Sequence, residues 1–157
     1  MQPLIIRPMT EQDIPATAQV LAAAFNSSAA RNAAQLAQKP AQGMLMQAFV
    51  AVRGENIIGM SLCEKNKSAL TIQLLAVNQN ERKQGVGRKL MAHTEKFMAR
   101  HWVDGAEANI LIEDLTKRYN NMSRYYENMG YKEWLGISET GCPLLYKTLK
   151  PLKRLSP

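Results

Sequence analysis

Short apolar runs and stretches of helical spacing alternate along the chain. Pro3–Pro8 (PLIIRP) is an apolar run bounded by prolines and predicts a strand. Thr10 follows as a helix N-cap, with Asp13 at the third helical position in a capping-box arrangement. Ile14, Ala18, Leu21, Ala22 and Phe25 then recur at intervals that set them on one helical face. Ser27–Lys39 is rich in Ala, Gln and Asn. It reads as a second, weakly buried helix ended by Pro40, with a mobile loop as the competing reading. Two strands flank Arg53-Gly54-Glu55-Asn56, a hairpin signal, and Ala69–Val77 is a third consecutive strand, apolar enough to be central. Val86, Leu90, Thr94, Phe97, Met98 and His101 line one side of a long helix. Ala106–Ile112 is another strand, and Asn120–Met129 a short helix stopped by Gly130 at its C′ position. Tyr131–Ile137 and Pro143–Leu149 are two closing strands.

Strand, helices, three strands, helix, strand, helix, two strands: this order predicts an α/β (α+β) fold. It implies a mixed, mostly antiparallel central sheet of about seven strands with helices on both faces. No internal repeat or linker divides the 157 residues, a length that suits one domain. The domain is assigned to residues 1–150, with 151–157 as a basic tail.

Composition narrows the class. Apolar residues make up 46% and charged residues 21%, ordinary for a globular protein, and no apolar run is long enough to span a bilayer. The N-terminus lacks a basic segment followed by a long apolar one, so no signal peptide is expected. Cys63 and Cys142 do not make a disulfide framework, which points to a cytoplasmic protein with reduced thiols. The net charge of +7 suits an anionic partner: nucleic acid, a membrane surface or a phosphorylated cofactor. It also suits a protein merely kept dispersed by excess charge.

The densest chemistry lies in Asn80–Leu90 (NERKQGVGRKL). A strand feeds a loop, then Gly85, then a helix starting near Val86. A helix start presents unpaired N–H groups and a dipole that favours anions, and glycine lets backbone approach a bulky anion closely. Arg82, Lys83, Arg88 and Lys89 add positive charge around that point. A Walker A loop and a dinucleotide fingerprint both fail, because Leu90 stands where each needs a glycine.

The wider pattern resembles the GNAT acetyltransferase superfamily. Arg82-Lys83-Gln84-Gly85-Val86-Gly87 matches its [RQ]-x-x-G-x-[GA] loop, and Leu75-Ala76-Val77 the end of the strand before it. Tyr126-Glu127-Asn128-Met129-Gly130-Tyr131 is similar to its Y-E-x-x-G-[FY] signature, and Ile5–Pro15 to its first strand and helix. The resemblance implies direct transfer of an acetyl group from acetyl-CoA to an amine, with no metal. It implies that Arg82 to Arg88 hold the pyrophosphate, the set being Arg82, Lys83, Gln84, Gly85, Val86, Gly87 and Arg88. The pantetheine arm would lie between splayed parallel strands, Leu74–Val77 and Ala108–Ile112. There it would pair with backbone groups of Leu75 and Val77, a Leu75 N–H facing the thioester oxygen, with Ala76 between them counted among the cofactor-binding residues. Tyr126 matches the tyrosine that protonates the departing thiolate, with core packing as its other reading and Tyr125 as a competitor. Asn120 and Ser123 stand near positions that contact the cofactor, although Tyr119 occupies the family's usual asparagine.

The strand before the loop carries Thr71 and Gln73 where many members have a glutamate, leaving Glu64, Glu107 and Glu113 as candidate bases. A site without a strong base favours an acceptor of low pKa, such as an α-amine. The acceptor pocket implied by the family, Phe25–Met46, holds Arg31 and Lys39 and no acid, which disfavours a polycation. His93, His101 and the two cysteines lack metal-ligand spacing, and the nine methionines read as core filler. Three classes stand: an N-acetyltransferase acting on a small molecule or a peptide or protein N-terminus; a non-catalytic acyl-CoA-binding regulatory module; and a basic nucleic-acid-binding domain. No membrane partner is expected, and a homodimer is left open.

Overall fold

A computed structural model of the chain describes residues 2–24, 45–66, 69–113, 123–137 and 143–152. The predicted helix at 27–39, Pro40, Phe25 and most of the implied acceptor pocket lie outside the described residues, as do Asn120, Cys142 and the tail from 153 onward.

Strands β1 (Leu4–Pro8), β2 (Leu45–Arg53), β3 (Asn56–Lys65), β4 (Leu70–Val77), β5 (Ala108–Glu113), β6 (Lys132–Ile137) and β7 (Pro143–Leu149) form one sheet of seven. Their order is β1-β2-β3-β4-β5-β7-β6, and every pairing is antiparallel except β4 with β5. The parallel pair needs a crossover, which the helix α2 (Val86–His101) supplies. Helix α1 (Ile14–Ala24) and the short α3 (Ser123–Glu127) complete the described elements. Mixed sheet, strand count and helices on both faces are as the pattern predicts.

A 3-10 turn, Glu11–Asp13, precedes α1, so the α-helix starts a turn later than the cap implied. Asp13 ties this entry to β1. Its carboxylate accepts from the Thr10 backbone N–H at 2.8 Å and from both terminal nitrogens of Arg7, at 2.7 and 3.0 Å. The Arg7 guanidinium and these hydrogen bonds hold the Asp13 carboxyl well below its usual range, at about 2.

α1 covers one face of the sheet. Val20 and Leu21 pack with Met9, Ala48, Val50, Met60, Leu62, Leu74 and Ala76. The buried face differs from the predicted one: Ala22 is exposed and Thr17 is buried. Thr17 can be buried because its hydroxyl donates to the Asp13 carbonyl one turn back. α2 covers the other face with Val86, Leu90, Met91, Met98 and Ala99. His101, expected on that stripe, is exposed, and Met91 and Ala99 take its place. Thr94 is fully buried there, its hydroxyl shared between the Leu90 carbonyl and Ser61 of β3, both at 2.7 Å. After β7 the Leu152 N–H donates to the Ala99 carbonyl at 3.0 Å, satisfying one of the carbonyls that a helix end leaves unpaired.

β4 contains one residue too many for its partner. Leu62 faces Leu74 while Cys63 faces Ile72, so Gln73 bulges out of the ladder. The extra residue reverses the strand's sidedness. Leu70 and Ile72 pack in the cluster under α2, whereas Leu74 and Ala76 pack in the cluster under α1. Leu75 and Val77 are correspondingly turned toward α2.

Candidate active site

The bulge coincides with a fork. β4 and β5 pair only at Leu70 with Ile110, Thr71 with Leu111 and Ile72 with Ile112. Beyond Ile72, β4 runs on to Val77 bonded, among the described residues, to β3 alone. Asn78 donates its N–H to the Ile58 carbonyl of β3 at 2.7 Å. Strand alternation then turns the N–H and C=O of Leu75 and Val77 to the opposite edge, into the fork. The Val77 carbonyl meets Arg82 Nε there at 3.3 Å. One expectation needs correction: Ala108–Ile112 do not flank the open part of β4. Ile110–Ile112 are its paired neighbours below the fork, and Ala108 and Asn109 lie lower still.

The loop above the fork is built for close approach. After a 3-10 turn at Gln79–Glu81, Lys83 adopts a φ of +66°, a left-handed conformation that costs a residue with a Cβ about 1–2 kcal/mol. Gly85 adopts φ +79° as the residue before α2, and a Cβ there would meet open space. With no side chain, Gly85 cannot cap the helix, and the first bond of α2 runs from the Lys89 N–H to the Gly85 carbonyl at 3.0 Å. The N–H groups of Val86, Gly87 and Arg88 therefore have no partner within the helix. Arg82, Lys83, Gln84, Arg88 and Lys89 are exposed around them, while Val86 is buried and anchors the turn. Along α2 from Arg88, a cavity of about 260 Å³ opens between Met91, Glu95, Met129 and Lys147.

The two adjacent tyrosines part company. The Tyr125 hydroxyl lies over Gly87, where an added Cβ would overlap it. Tyr125 is half-buried; burial raises its hydroxyl pKa, and the nearby Arg88 charge opposes that rise. Tyr126 is 6% exposed and packs in the same cluster as Ile72 and Ile112, the last pair before the fork opens. Its ring meets Tyr125 and Tyr131 edge-on, at 5.5 and 6.2 Å between centroids. Behind it the Tyr131 hydroxyl donates to Glu95 at 2.9 Å, and Lys147 binds the same carboxylate at 2.7 Å. Ser123 opens α3.

The three candidate residues stand at different places along the strands. Glu107 is exposed ahead of β5, and Glu113 ends β5 opposite Leu144. Glu64 is only 7% exposed and stands beside the bulge. Gln73 Nε2 donates to it at 2.6 Å and Asn66 Nδ2 at 3.3 Å, and Gln73 also reaches the Thr71 hydroxyl at 3.1 Å. No local motif marks Glu64; only the register of β3 on β4 brings it to Gln73. Among the described residues no group of three His, Cys, Asp or Glu is placed to hold a metal ion. No described helix is long and apolar enough to cross a membrane.

A family model for the acetyltransferase (GNAT) domain matches residues 46–133, more than half of the chain. Among curated proteins none matches. Several solved structures share the fold. A GNAT-family acetyltransferase from Staphylococcus aureus aligns with a TM-score of 0.72 at 14% identity, covering 94% of this chain and 100% of its own. An aminoglycoside 6'-N-acetyltransferase complexed with coenzyme A gives 0.71 at 16%, covering 94% and 98%. The ribosomal-protein-S18-alanine N-acetyltransferase from Escherichia coli gives 0.64 at 16%, covering 99% and 97%.

Proposed function

Because the chain belongs to the GNAT acetyltransferases, and is thus an acyltransferase, we propose that it moves the acetyl group of acetyl-CoA directly to a primary amine. The observation that carries this reading is the junction of the β4–β5 fork with the uncapped, glycine-led start of α2. Three helix N–H groups, four exposed cations and open space at Gly85 together suit a diphosphate. The helix end alone contributes about 0.3–1 kcal/mol, so the N–H contacts and cations must act jointly.

In this reading Arg82, Lys83, Gln84, Gly85, Val86, Gly87 and Arg88 hold the diphosphate. Leu75 and Val77 offer backbone groups to the pantetheine amides in the manner of an added strand. A donor such as the Leu75 N–H, aimed at a developing oxyanion, is worth about 3–4 kcal/mol. Tyr126 gives its proton to the leaving sulfur, a role typically worth about 10²–10⁴-fold. Its packing with Ile72 and Ile112 at the root of the fork supports that role, and the position of Tyr125 over the helix start favours Tyr126 over its neighbour.

The acceptor follows from cost. Freeing a lysine-like amine at neutral pH takes about 4.6 kcal/mol, an α-amine only about 1. β4 itself carries no carboxylate to strip an ammonium before it attacks, which favours an α-amine on a small molecule or a peptide N-terminus. The fold does not decide this, since its neighbours include enzymes for an aminoglycoside and for a protein alanine.

Calorimetry with coenzyme A, followed by thiol release from acetyl-CoA over an amine panel, tests the proposal. Binding with turnover is expected, fastest on α-amines. No binding overturns it, and binding without turnover on any amine leaves a CoA-binding regulatory module. Tyr126→Phe is expected to lower turnover and spare CoA binding; equal turnover removes Tyr126 from the mechanism.

A further inference from the structure

Glu64 is a buried carboxylate for which the fold itself gives no reason. Among the described residues no Lys or Arg pairs with it; the ion pairs are Arg7 with Asp13, Arg53 with Glu81, Lys65 with Asp104 and Lys147 with Glu95. Removing a carboxylate from water without a cation is costly. Among the described residues Glu64 has only amide donors. Gln73 binds one oxygen and Asn66 the other, which leaves each oxygen room to accept again.

Its position is specific. Gln73 is the bulge residue, one step beyond Ile72, where β4 parts from β5. The carboxylate is thus one amide away from the root of the fork. It also lies on the face away from α2. Leu62, two residues earlier on β3, packs in the cluster under α1, while Cys63 packs in the cluster under α2. Alternation puts Glu64 on the α1 side, opposite the helix start that suits the diphosphate. Strands are spaced about 4.8 Å apart, so a carboxylate on β3 reaches the far edge of β4 directly or through one water.

We propose that the Glu64 carboxylate, held at the root of the fork by the Gln73 and Asn66 amides, takes the proton from the attacking amine. This rests on the acetyltransferase reading above. The neutral amine attacks the thioester carbonyl, forming the C–N bond and placing positive charge on nitrogen. One N–H proton passes to Glu64 as the C–S bond breaks and sulfur takes the Tyr126 proton. Glu64 then releases its proton to solvent and Tyr126 regains one, so the sum is amine plus acetyl-CoA giving amide plus CoA thiol. Thr71 and Gln73 act as positioning residues that keep the carboxylate aimed at the fork.

The test uses the full chain with acetyl-CoA, glycinamide as the amine and water alone as a parallel acceptor. Glu64→Gln is expected to lower kcat by about 10²-fold or more in both arms. Its affinity for CoA by calorimetry should stay unchanged, while the CoA complex should bind glycinamide more weakly. Glu64→Ala with added formate should regain turnover, which a purely structural role would not allow. Wild-type kcat in Glu64→Gln, or no formate rescue in a folded Glu64→Ala, overturns the assignment. Failure of the wild-type chain to bind CoA at all overturns the cofactor reading instead, and Glu64 with it.

Discussion

Replacing Gly87 by alanine sets two effects of similar size against each other. A methyl group at this position gains up to about 1 kcal/mol of helix propensity. The same methyl would overlap the Tyr125 hydroxyl, while the ring carbon Cζ stands at 3.4 Å and Val77 Cγ2 at 3.6 Å, both ordinary contacts. The obstacle is therefore a single oxygen. Yet Tyr125 is half-buried and packed edge-on against Tyr126, so it cannot swing away freely. Overpacking of this kind costs about 1–3 kcal/mol, making Gly87→Ala neutral to about 2 kcal/mol destabilising. In a Tyr125→Phe background the oxygen is gone, and the alanine should stabilise. The expected coupling between the two sites is about 1–3 kcal/mol. Thermal unfolding of the four proteins reads it, at about 2–4 °C per kcal/mol for a chain of this length. Additivity within about 0.5 kcal/mol would refute the contact and, with it, the separation of roles between the two tyrosines.

Asp13 should make stability depend on acidity. Its carboxyl falls from the ordinary 3.8 to about 2, worth about 1–2 kcal/mol after discounting for an Arg7 side chain that is 40% exposed. Because the folded value is the lower one, this contribution is complete above about pH 4 and lost as pH falls toward about 2. Urea unfolding of wild type and Asp13→Asn should show a gap near neutrality that narrows over that window; a constant gap would contradict the sign. Cys63 is fully buried and its thiol is pushed up to about 12 by burial. Iodoacetamide at neutral pH should leave the Cys63 peptide unmodified in native protein and label it in urea, as judged by mass spectrometry; rapid native labelling would show that the strand is not packed as described.

Features written in consecutive residues were legible in the sequence. The hairpin at Arg53–Asn56, the helix opening at Val86 and the loop from Arg82 to Gly87 depend on local periodicity and turn chemistry, and each lies where the pattern puts it. Helix faces were less so. Ala22 satisfies the apolar spacing but stays outside, while Thr17 enters the core by bonding the carbonyl four residues back, and on α2 Met91 and Ala99 are buried in place of His101. The splayed strand pair entered only through the family resemblance, and neither the point where it opens nor the environment of Glu64 was legible in the residues. Both depend on where β4 stops pairing with β5 and on an offset against β3, and hydrophobicity does not distinguish Gln73 in the ladder from Gln73 outside it.

That surplus residue has a genetic consequence. Deleting it would join Ile72 directly to Leu74, opposite Cys63 and Leu62, and the ladder on β3 would run unbroken. Leu74 to Val77 would keep their faces, because the surplus residue and the reversal it causes would vanish together. Loss of that one codon would thus keep both hemispheres in phase and remove the Gln73 amide that Glu64 accepts from. A replacement at Gln73 does the converse: it alters the amide and leaves the count of peptide bonds, and with it the offset, intact.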